Sequence, residues 1–206
     1  MVCAVKSCVY AIFLGVFVCA QSFAVFGKDG KESRDLKSQD QPATASTSVA
    51  SVAKFQWSEH NKLSWDDFRG PVDAIVDECA AATHCGIGFS TTNTCPGAKP
   101  TIKVYNNFYI NKSWVRADAK MPQILEHEQG HFDLCEIYTR KLRERMNGFD
   151  TNTANMKQAL MNIYNEISEE YEARQQAYER ETTHGTNIPE QKKWVDIISH
   201  ELQASI

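Results

Sequence analysis

The spacing of apolar residues changes near the middle of the chain, from an alternating pattern to a helical one. Two segments are typical of strands, residues 82–91 and 101–110. The second alternates most clearly, since its apolar residues fall on one face at intervals of two, namely Ile102, Val104, Phe108 and Ile110. Breaker-rich residues 93–97 separate the two segments. Upstream, the alternation of Trp57, Leu63 and Trp65 with polar residues also predicts strand structure, ending in a turn at residues 68–71.

After residue 112 the apolar spacing is helical. The first helix is expected from Pro122 to just before Gly148, because proline suits the first helical turn and glycine the position past the end. A second helix is predicted from about Thr153 to Arg180, and a third from Pro189. A small antiparallel or mixed sheet followed by three helices predicts an α+β fold.

The first 24 residues have the features of a secretory signal peptide. One lysine precedes an apolar run from Val9 to Ala20, and small residues then flank Phe23 in a cleavage-site pattern. The apolar run is too short to span about 30 Å of hydrocarbon as a helix. We therefore expect export to the periplasm or beyond the cell, with no stable membrane insertion once the signal is removed.

Residues 25–54 are dense in Ser, Lys, Asp, Gln, Thr and Ala, a composition that predicts a flexible polar leader. The folded domain is then expected over residues 55–206, long enough for one hydrophobic core. The net charge of −4 and the absence of a Lys/Arg cluster argue against nucleic-acid binding. The mean hydropathy of −0.44 excludes a polytopic membrane protein.

Four cysteines remain after residues 1–24 are removed: Cys79, Cys85, Cys95 and Cys135. An even number in an oxidising compartment predicts disulfides, with three possible pairings, and free buried thiols are the alternative. A zinc site made of four cysteines is disfavoured, because none of them are spaced C-x-x-C.

Residues 127–131 read His-Glu-Gln-Gly-His, an HExxH motif inside the first predicted helix. Positions i and i+4 lie on the same helical face, so His127 and His131 can offer imidazole nitrogens to one Zn²⁺. Glu128 can hold a zinc-bound water and take its proton as general base. Gly130 lowers the helix propensity by about 1 kcal/mol relative to Ala, which suggests that another element approaches closely there.

Three separated motifs resemble those of a bacterial family called domain of unknown function 922. They are residues 63–70, residues 125–133, and residues 178–185 followed by Gln191 and Trp194. The resemblance covers most of residues 57–202, and it implies a secreted zinc-dependent protease with a zincin-like fold. Glu179 stands where the family has Asp, which retains the acid.

A catalytic zinc usually has three protein ligands, so a third is needed beside the two histidines. The resemblance favours His184, in a segment that can fold back over the site after the second helix. An antiparallel hairpin of the first two helices, turning near Gly148, instead favours Glu170, which would lie opposite His131. Further alternatives are Glu166, Glu172, Glu181 or no third ligand.

These residues predict an exported zinc-dependent metallopeptidase that hydrolyses a protein or peptide substrate, with Glu128 as general base. Tyr178 is a candidate donor to the oxyanion, with a core aromatic as the alternative. The strand at residues 101–110 is a candidate edge strand for substrate pairing. Two other functions stay open, an inactive zincin-fold binding module and a zinc amidase acting on the cell envelope. The sequence does not distinguish substrates or oligomeric states.

Overall fold

The computed structural model describes residues 53–73, 79–92, 100–150 and 155–204. Within these ranges the fold is α+β, with a small antiparallel sheet and three helices. The predicted signal peptide, almost all of the predicted leader, the breaker-rich connection and Cys95 lie outside the described residues.

The described residues form five strands, most of them short: β1 (Lys54–Phe55), β2 (Ala81–Ala82), β3 (Cys85–Thr92), β4 (Thr101–Tyr109) and β5 (Trp114–Val115). The three-stranded sheet has the order β1-β4-β3 and is antiparallel throughout. A separate two-stranded sheet joins β2 to β5. The two predicted strands correspond to β3 and β4. The expectation that β4 forms a sheet edge is wrong for Phe108 and Tyr109, which pair with β1, whereas residues 101–107 pair with β3 alone among the described strands.

The strand structure predicted around Trp65 is also wrong, because a short 3-10 helix occupies Trp65–Asp67. The Asp67 carboxylate accepts hydrogen bonds from the backbone nitrogen and the hydroxyl of Ser64, at 2.8 and 2.9 Å. These local bonds favour a turn over an extended chain. Gly70 then passes against the backbone of Lys112, where an added Cβ would lie 2.7 Å from the carbonyl carbon.

The helices are α1 (Pro122–Asn147), α2 (Met156–Thr182) and α3 (Ile188–Ala204). The bounds predicted for α1 are confirmed at both ends, and those of α2 and α3 differ by one to three residues. None of the described helices combines the length and apolar character that a membrane span requires.

Helix α1 lies at the centre of the fold and packs on both sides. Towards the sheet, Phe132 packs against Phe55 and Phe108, with ring centroids 5.8 and 5.4 Å apart. On its other side, Leu134 joins a buried cluster with Tyr178 of α2 and with α3. A helix covered on both sides must bury its polar residues too, and α1 buries both histidines of the HExxH motif.

Polar contacts attach the segment after β1 to α1. Asp133 accepts hydrogen bonds from Trp57 Nε1 at 2.6 Å and from Gln129 Nε2 at 2.7 Å. Lys62 Nζ lies 3.3 Å from the other carboxylate oxygen. Gln129 in turn accepts a hydrogen bond from the backbone nitrogen of Leu63, at 2.7 Å. Asp133 therefore fixes an upstream segment to the central helix.

The close approach predicted at Gly130 is confirmed, because Tyr178 of α2 lies against it. Gly130→Ala is expected to destabilise the fold by about 1–3 kcal/mol, as an overpacking substitution in a core. The added Cβ would lie 2.7 Å from Cζ of Tyr178, whose side chain is fully buried. The free energy of unfolding in urea measures the effect.

Gly148→Ala is the matched control for that substitution. Gly148 has a right-handed backbone with φ −78° and ψ −4°, and an added Cβ would lie 3.7 Å from its nearest neighbour. The control is expected to leave stability unchanged or slightly raised. If Gly130→Ala were as stable as this control, the close packing at Tyr178 would be refuted.

Asp133→Ala is expected to cost about 1–2 kcal/mol of unfolding free energy, because Trp57 Nε1 loses its acceptor in a partly buried position. Tryptophan fluorescence during urea unfolding measures the change. Asp118→Ala is the control, since its ion pair with Arg116 is solvent-exposed and contributes little. An equal effect of the two substitutions would contradict the anchoring role of Asp133.

Candidate metal centre

Helix α1 brings the two histidines of the motif together, as their spacing of four residues predicts. His127 and His131 are fully buried, and their Nε2 atoms lie 3.1 Å apart. Two imidazole nitrogens at this distance face a common point on the side of α1 that packs against α2.

Glu179 of α2 supplies a third ligand group at the same point. Its Oε2 lies 3.4 Å from His127 Nε2, and its Oε1 lies 3.4 Å from His131 Nε2. All three ligand atoms lie within 4.8 Å of one another, so the group could hold a metal ion, and it is the one such group among the described residues. Glu179 Oε1 is buried and has no hydrogen-bond partner in the described part of the chain.

Two glutamines determine which nitrogen of each histidine faces this point. His131 Nδ1 lies 2.5 Å from Gln175 Oε1, and His127 Nδ1 lies 2.9 Å from Gln191 Oε1. An amide oxygen can only accept, so each Nδ1 must donate its hydrogen. In the neutral ring this leaves the lone pair on Nε2, the nitrogen that faces the other ligands.

The orientation of both amides is itself fixed. Gln175 Nε2 donates to the backbone carbonyl of His131 at 3.0 Å. Gln191 Nε2 donates to the hydroxyl of Tyr178 at 2.8 Å. Reversing either amide would place its oxygen against another acceptor, the His131 carbonyl for Gln175 or the Tyr178 hydroxyl, which donates to His127, for Gln191. The tautomers of both histidines therefore follow from the network.

Tyr178 belongs to this supporting network. Its hydroxyl donates to the carbonyl of His127 at 3.1 Å, and its ring stacks on the imidazole of His127 with centroids 4.7 Å apart. Burial raises the pKa of Tyr178 well above its usual range. The core-aromatic alternative is therefore correct for Tyr178, and the role of oxyanion donor is wrong, because the hydroxyl is engaged inside the core.

The charges at the centre compensate one another. Burial by itself would lower the pKa of His131, but the Glu179 carboxylate outweighs this effect, and the charge of Glu128 adds to it, so the pKa rises to about 9. Burial favours the neutral form of Glu179, yet contacts with three imidazoles hold its pKa well below the usual range. The buried carboxylate is thus ionised and electrostatically matched.

Glu128 is fully buried beside His127 on α1. Its negative charge is one of the causes that raise the pKa of both His131 and Tyr178. Its backbone carbonyl accepts a hydrogen bond from Thr83 Oγ1 at 3.3 Å, which ties this turn of α1 to the chain just before β3.

His184 lies next to the centre, on the outer side of Glu179. Its Nδ1 is 2.7 Å from Glu179 Oε2, and about a third of its side chain is exposed. The structure thus brings His184 to the site that the resemblance predicted, but through contact with Glu179. The three-residue group does not include it.

The register between α1 and α2, meaning which of their residues lie side by side, differs from that of the hairpin assumed from the sequence. This difference explains why the assumed hairpin favours another glutamate. Glu170 pairs with Lys141 on the exposed side of the helices, and Gln175 lies beside His131. The α2 residue that lies beside His131 is therefore Gln175, five positions after Glu170, which the assumed hairpin places there. The other candidates also have partners elsewhere, since Glu166 pairs with Arg145 and Glu181 accepts from Trp194.

The cysteines take different states. Cys79 is disulfide-bonded. Cys85 and Cys135 are buried free thiols, so the free-thiol alternative holds for this pair. Cys85 Sγ lies 3.4 Å from Tyr171 Oη and 3.7 Å from the carbonyl of His131. Cys135 is not part of the three-residue group.

The spacing of His127, Glu128 and His131 in the sequence identified them as candidate site residues. Glu179 was not predicted as a candidate ligand. One signal was present, because Glu179 directly follows Tyr178 in the third family-like motif. Gln175 and Gln191 carry no metal-ligand signature in the sequence, and only the packing of α2 and α3 against α1 reveals their role.

Comparison with known proteins gives one match. A family model described as "Bacterial protein of unknown function (DUF922)" matches residues 20–185. A search of curated proteins and a search of solved structures found no match. Since the matched region covers well over half of the chain, the protein belongs to this bacterial family of unknown function.

Proposed function

We propose that this protein is an exported zinc-dependent metallopeptidase of zincin type. Zinc is held by His127, His131 and Glu179, and Glu128 is the general base in peptide hydrolysis. The observation that carries the proposal is the convergence of two buried Nε2 atoms and a largely buried carboxylate, with the three ligand atoms within 4.8 Å of one another. This assignment replaces His184 with Glu179 as the third ligand.

The donor set suits zinc. Catalytic zinc sites combine three protein ligands from His, Glu, Asp or Cys with one open position, and two histidines with one glutamate is a known combination. The two Nε2 atoms lie 3.1 Å apart, and each lies 3.4 Å from one of the two Glu179 carboxylate oxygens, so the three side chains face one point. The two Nδ1 hydrogen bonds favour the tautomer that a ligating histidine needs.

Zinc, when bound, supplies a Lewis acid that makes water a stronger nucleophile near neutral pH and polarises a substrate carbonyl. The chain supplies the proton transfers. The Glu128 carboxylate accepts a proton from the attacking water and returns it to the leaving amine. Its burial next to the candidate ligands excludes bulk water, which strengthens these interactions.

The position of β3 supports an extended peptide as substrate. β3 is an edge strand of the described sheet, and a peptide can add to such an edge through backbone hydrogen bonds. The chain at the start of β3 contacts α1 beside the motif, through Thr83 at Glu128 and Cys85 at His131. A peptide paired with β3 would lie along the sheet that packs against the metal-binding helix.

Glu179→Gln is expected to lower bound zinc from about one ion per chain to a small fraction, because a neutral amide is a poor ligand for zinc. Elemental mass spectrometry on the purified, zinc-incubated protein measures the content. Glu170→Gln is the matched control, since Glu170 is on the same helix but exposed and paired with Lys141. Retention of full zinc by Glu179→Gln would exclude Glu179 as a ligand.

Glu128→Gln is expected to retain zinc and to lose peptide hydrolysis by about 10²- to 10⁴-fold, the contribution of a general base. The measurement is the initial rate on casein and on a fluorogenic peptide library. Glu126→Gln serves as control, because Glu126 lies in the same helical turn but is exposed.

Two outcomes would redirect the assignment. Stoichiometric zinc without cleavage of any protein, peptide or cell-wall amide would favour the inactive binding module. Cleavage of cell-wall amides alone, lost in Glu128→Gln, would favour the envelope amidase. The peptidase proposal requires Glu128-dependent cleavage of casein or peptides.

A further inference from the structure

The turn between α2 and α3 has an unusual backbone. Thr183, His184 and Gly185 follow one another with φ values of 50°, 55° and 75°. Thr183 and His184 are the non-glycine residues with positive φ in the described part of the chain. Left-handed backbone is costly for residues with a Cβ, and most of all for a β-branched residue such as threonine. Such strain persists only where the surroundings enforce it, and it is frequent at functional sites.

Hydrogen bonds enforce this turn. The buried Thr182 hydroxyl donates to the carbonyl of Tyr178 at 2.7 Å and accepts from the Gly185 nitrogen at 3.3 Å. The backbone nitrogen of His184 donates to the carbonyl of Glu179 at 3.1 Å. The Asn187 nitrogen donates to the carbonyl of Thr182 at 2.8 Å. The conformation is therefore determined by the end of α2 and the start of α3.

Consecutive residues of the turn contact two of the candidate ligands. His184 Nδ1 donates to Glu179 Oε2 at 2.7 Å. The backbone of Gly185 lies against the ring of His127, where an added Cβ would be 2.8 Å from both Cβ and Cγ. Only a residue with no side chain fits against the His127 ring at this backbone angle.

We propose that this strained turn positions the metal ligands, with His184 as a positioning residue for Glu179. The inference rests on the metal site of the proposed function. A hydrogen bond to Oε2 stops the carboxylate from rotating and leaves the buried Oε1 available for a metal. Each of the three ligand side chains has two polar atoms, and the atom that does not face the metal position has a fixed partner. The partners are Gln191 for His127, Gln175 for His131 and His184 for Glu179.

Substituting an outer partner of a metal ligand typically weakens metal affinity by about 10- to 100-fold. His184→Gly removes the imidazole and accepts positive φ without strain, so it removes the hydrogen bond to Glu179 without adding backbone strain. His184→Asn also tolerates positive φ, and its side-chain amide offers an N–H near the position of Nδ1. The two variants therefore differ mainly in the donor to Glu179.

The experiment measures the zinc dissociation constant of the wild type and both variants, by competition with a chromogenic chelator. The visible spectrum of each Co²⁺-loaded protein reports the ligand geometry. His184→Gly is expected to bind one zinc about 10- to 100-fold more weakly, with an altered Co²⁺ spectrum. His184→Asn is expected to recover most of the affinity and a spectrum close to wild type. Circular dichroism of the metal-free variants checks folding.

Three results would overturn the proposal. Wild-type affinity and spectrum in His184→Gly would show that the hydrogen bond does not position Glu179. Loss of stoichiometric zinc in both variants would make His184 itself a ligand. No zinc binding by the wild type would remove the proposed metal site, and with it this inference, a result distinct from the first two.

His184→Asp provides the same comparison if the glycine variant does not fold. It is isosteric with His184→Asn and tolerates positive φ, but its carboxylate has no N–H donor. Weaker zinc binding in His184→Asp than in His184→Asn supports the positioning role, and equal binding overturns it.

Discussion

Two imidazoles and a carboxylate are buried in the middle of this fold, and the arrangement of its helices depends on satisfying them. An unpaired polar group in such a place costs about 1–3 kcal/mol, and an unpaired charge costs more. His127 and His131 avoid that cost because Gln191 and Gln175 accept from their Nδ1 atoms. Glu179 avoids it through contact with three imidazoles. Polar compensation, as much as apolar packing, thus determines how α2 and α3 lie on α1.

Close packing at the centre follows from this constraint. The Tyr178 hydroxyl reaches the carbonyl of His127 only because Gly130 leaves room for its ring. Gly185 likewise allows the backbone after α2 to lie directly against the side chain of His127. Each glycine weakens local structure, through lower helix propensity or greater backbone entropy, and each permits contacts that hold a ligand histidine. Local stability is therefore lower where the site requires close approach.

The sequence correctly predicted those features of the fold that depend on residues close together in the chain. Pro122 and Gly148 bound α1 correctly, and the spacing of His127 and His131 placed both on one face. The third ligand group was not predictable in this way. Which residue of α2 lies beside His131 depends on how α2 packs along α1. The hairpin register assumed from the sequence was wrong by five residues. A shift of five residues moves a side chain by about 7.5 Å along a helix, enough to replace one glutamate by another. Likewise, the alternating apolar pattern near Trp65 predicts a strand, but the hydrogen bonds between Ser64 and Asp67 favour a 3-10 helix there.

Each outer partner lies on a different element from the candidate ligand that it contacts. Gln191 of α3 holds His127 of α1, Gln175 of α2 holds His131 of α1, and the turn after α2 holds Glu179. The centre is therefore complete only when all three helices have packed, and no single helix contains a preformed site. A ligand that binds only the folded state stabilises it by mass action. In the proposed metal site, binding would consequently be coupled to the packing of α2 and α3 on α1, and a change that loosens either helix would weaken the site even where no candidate ligand is touched.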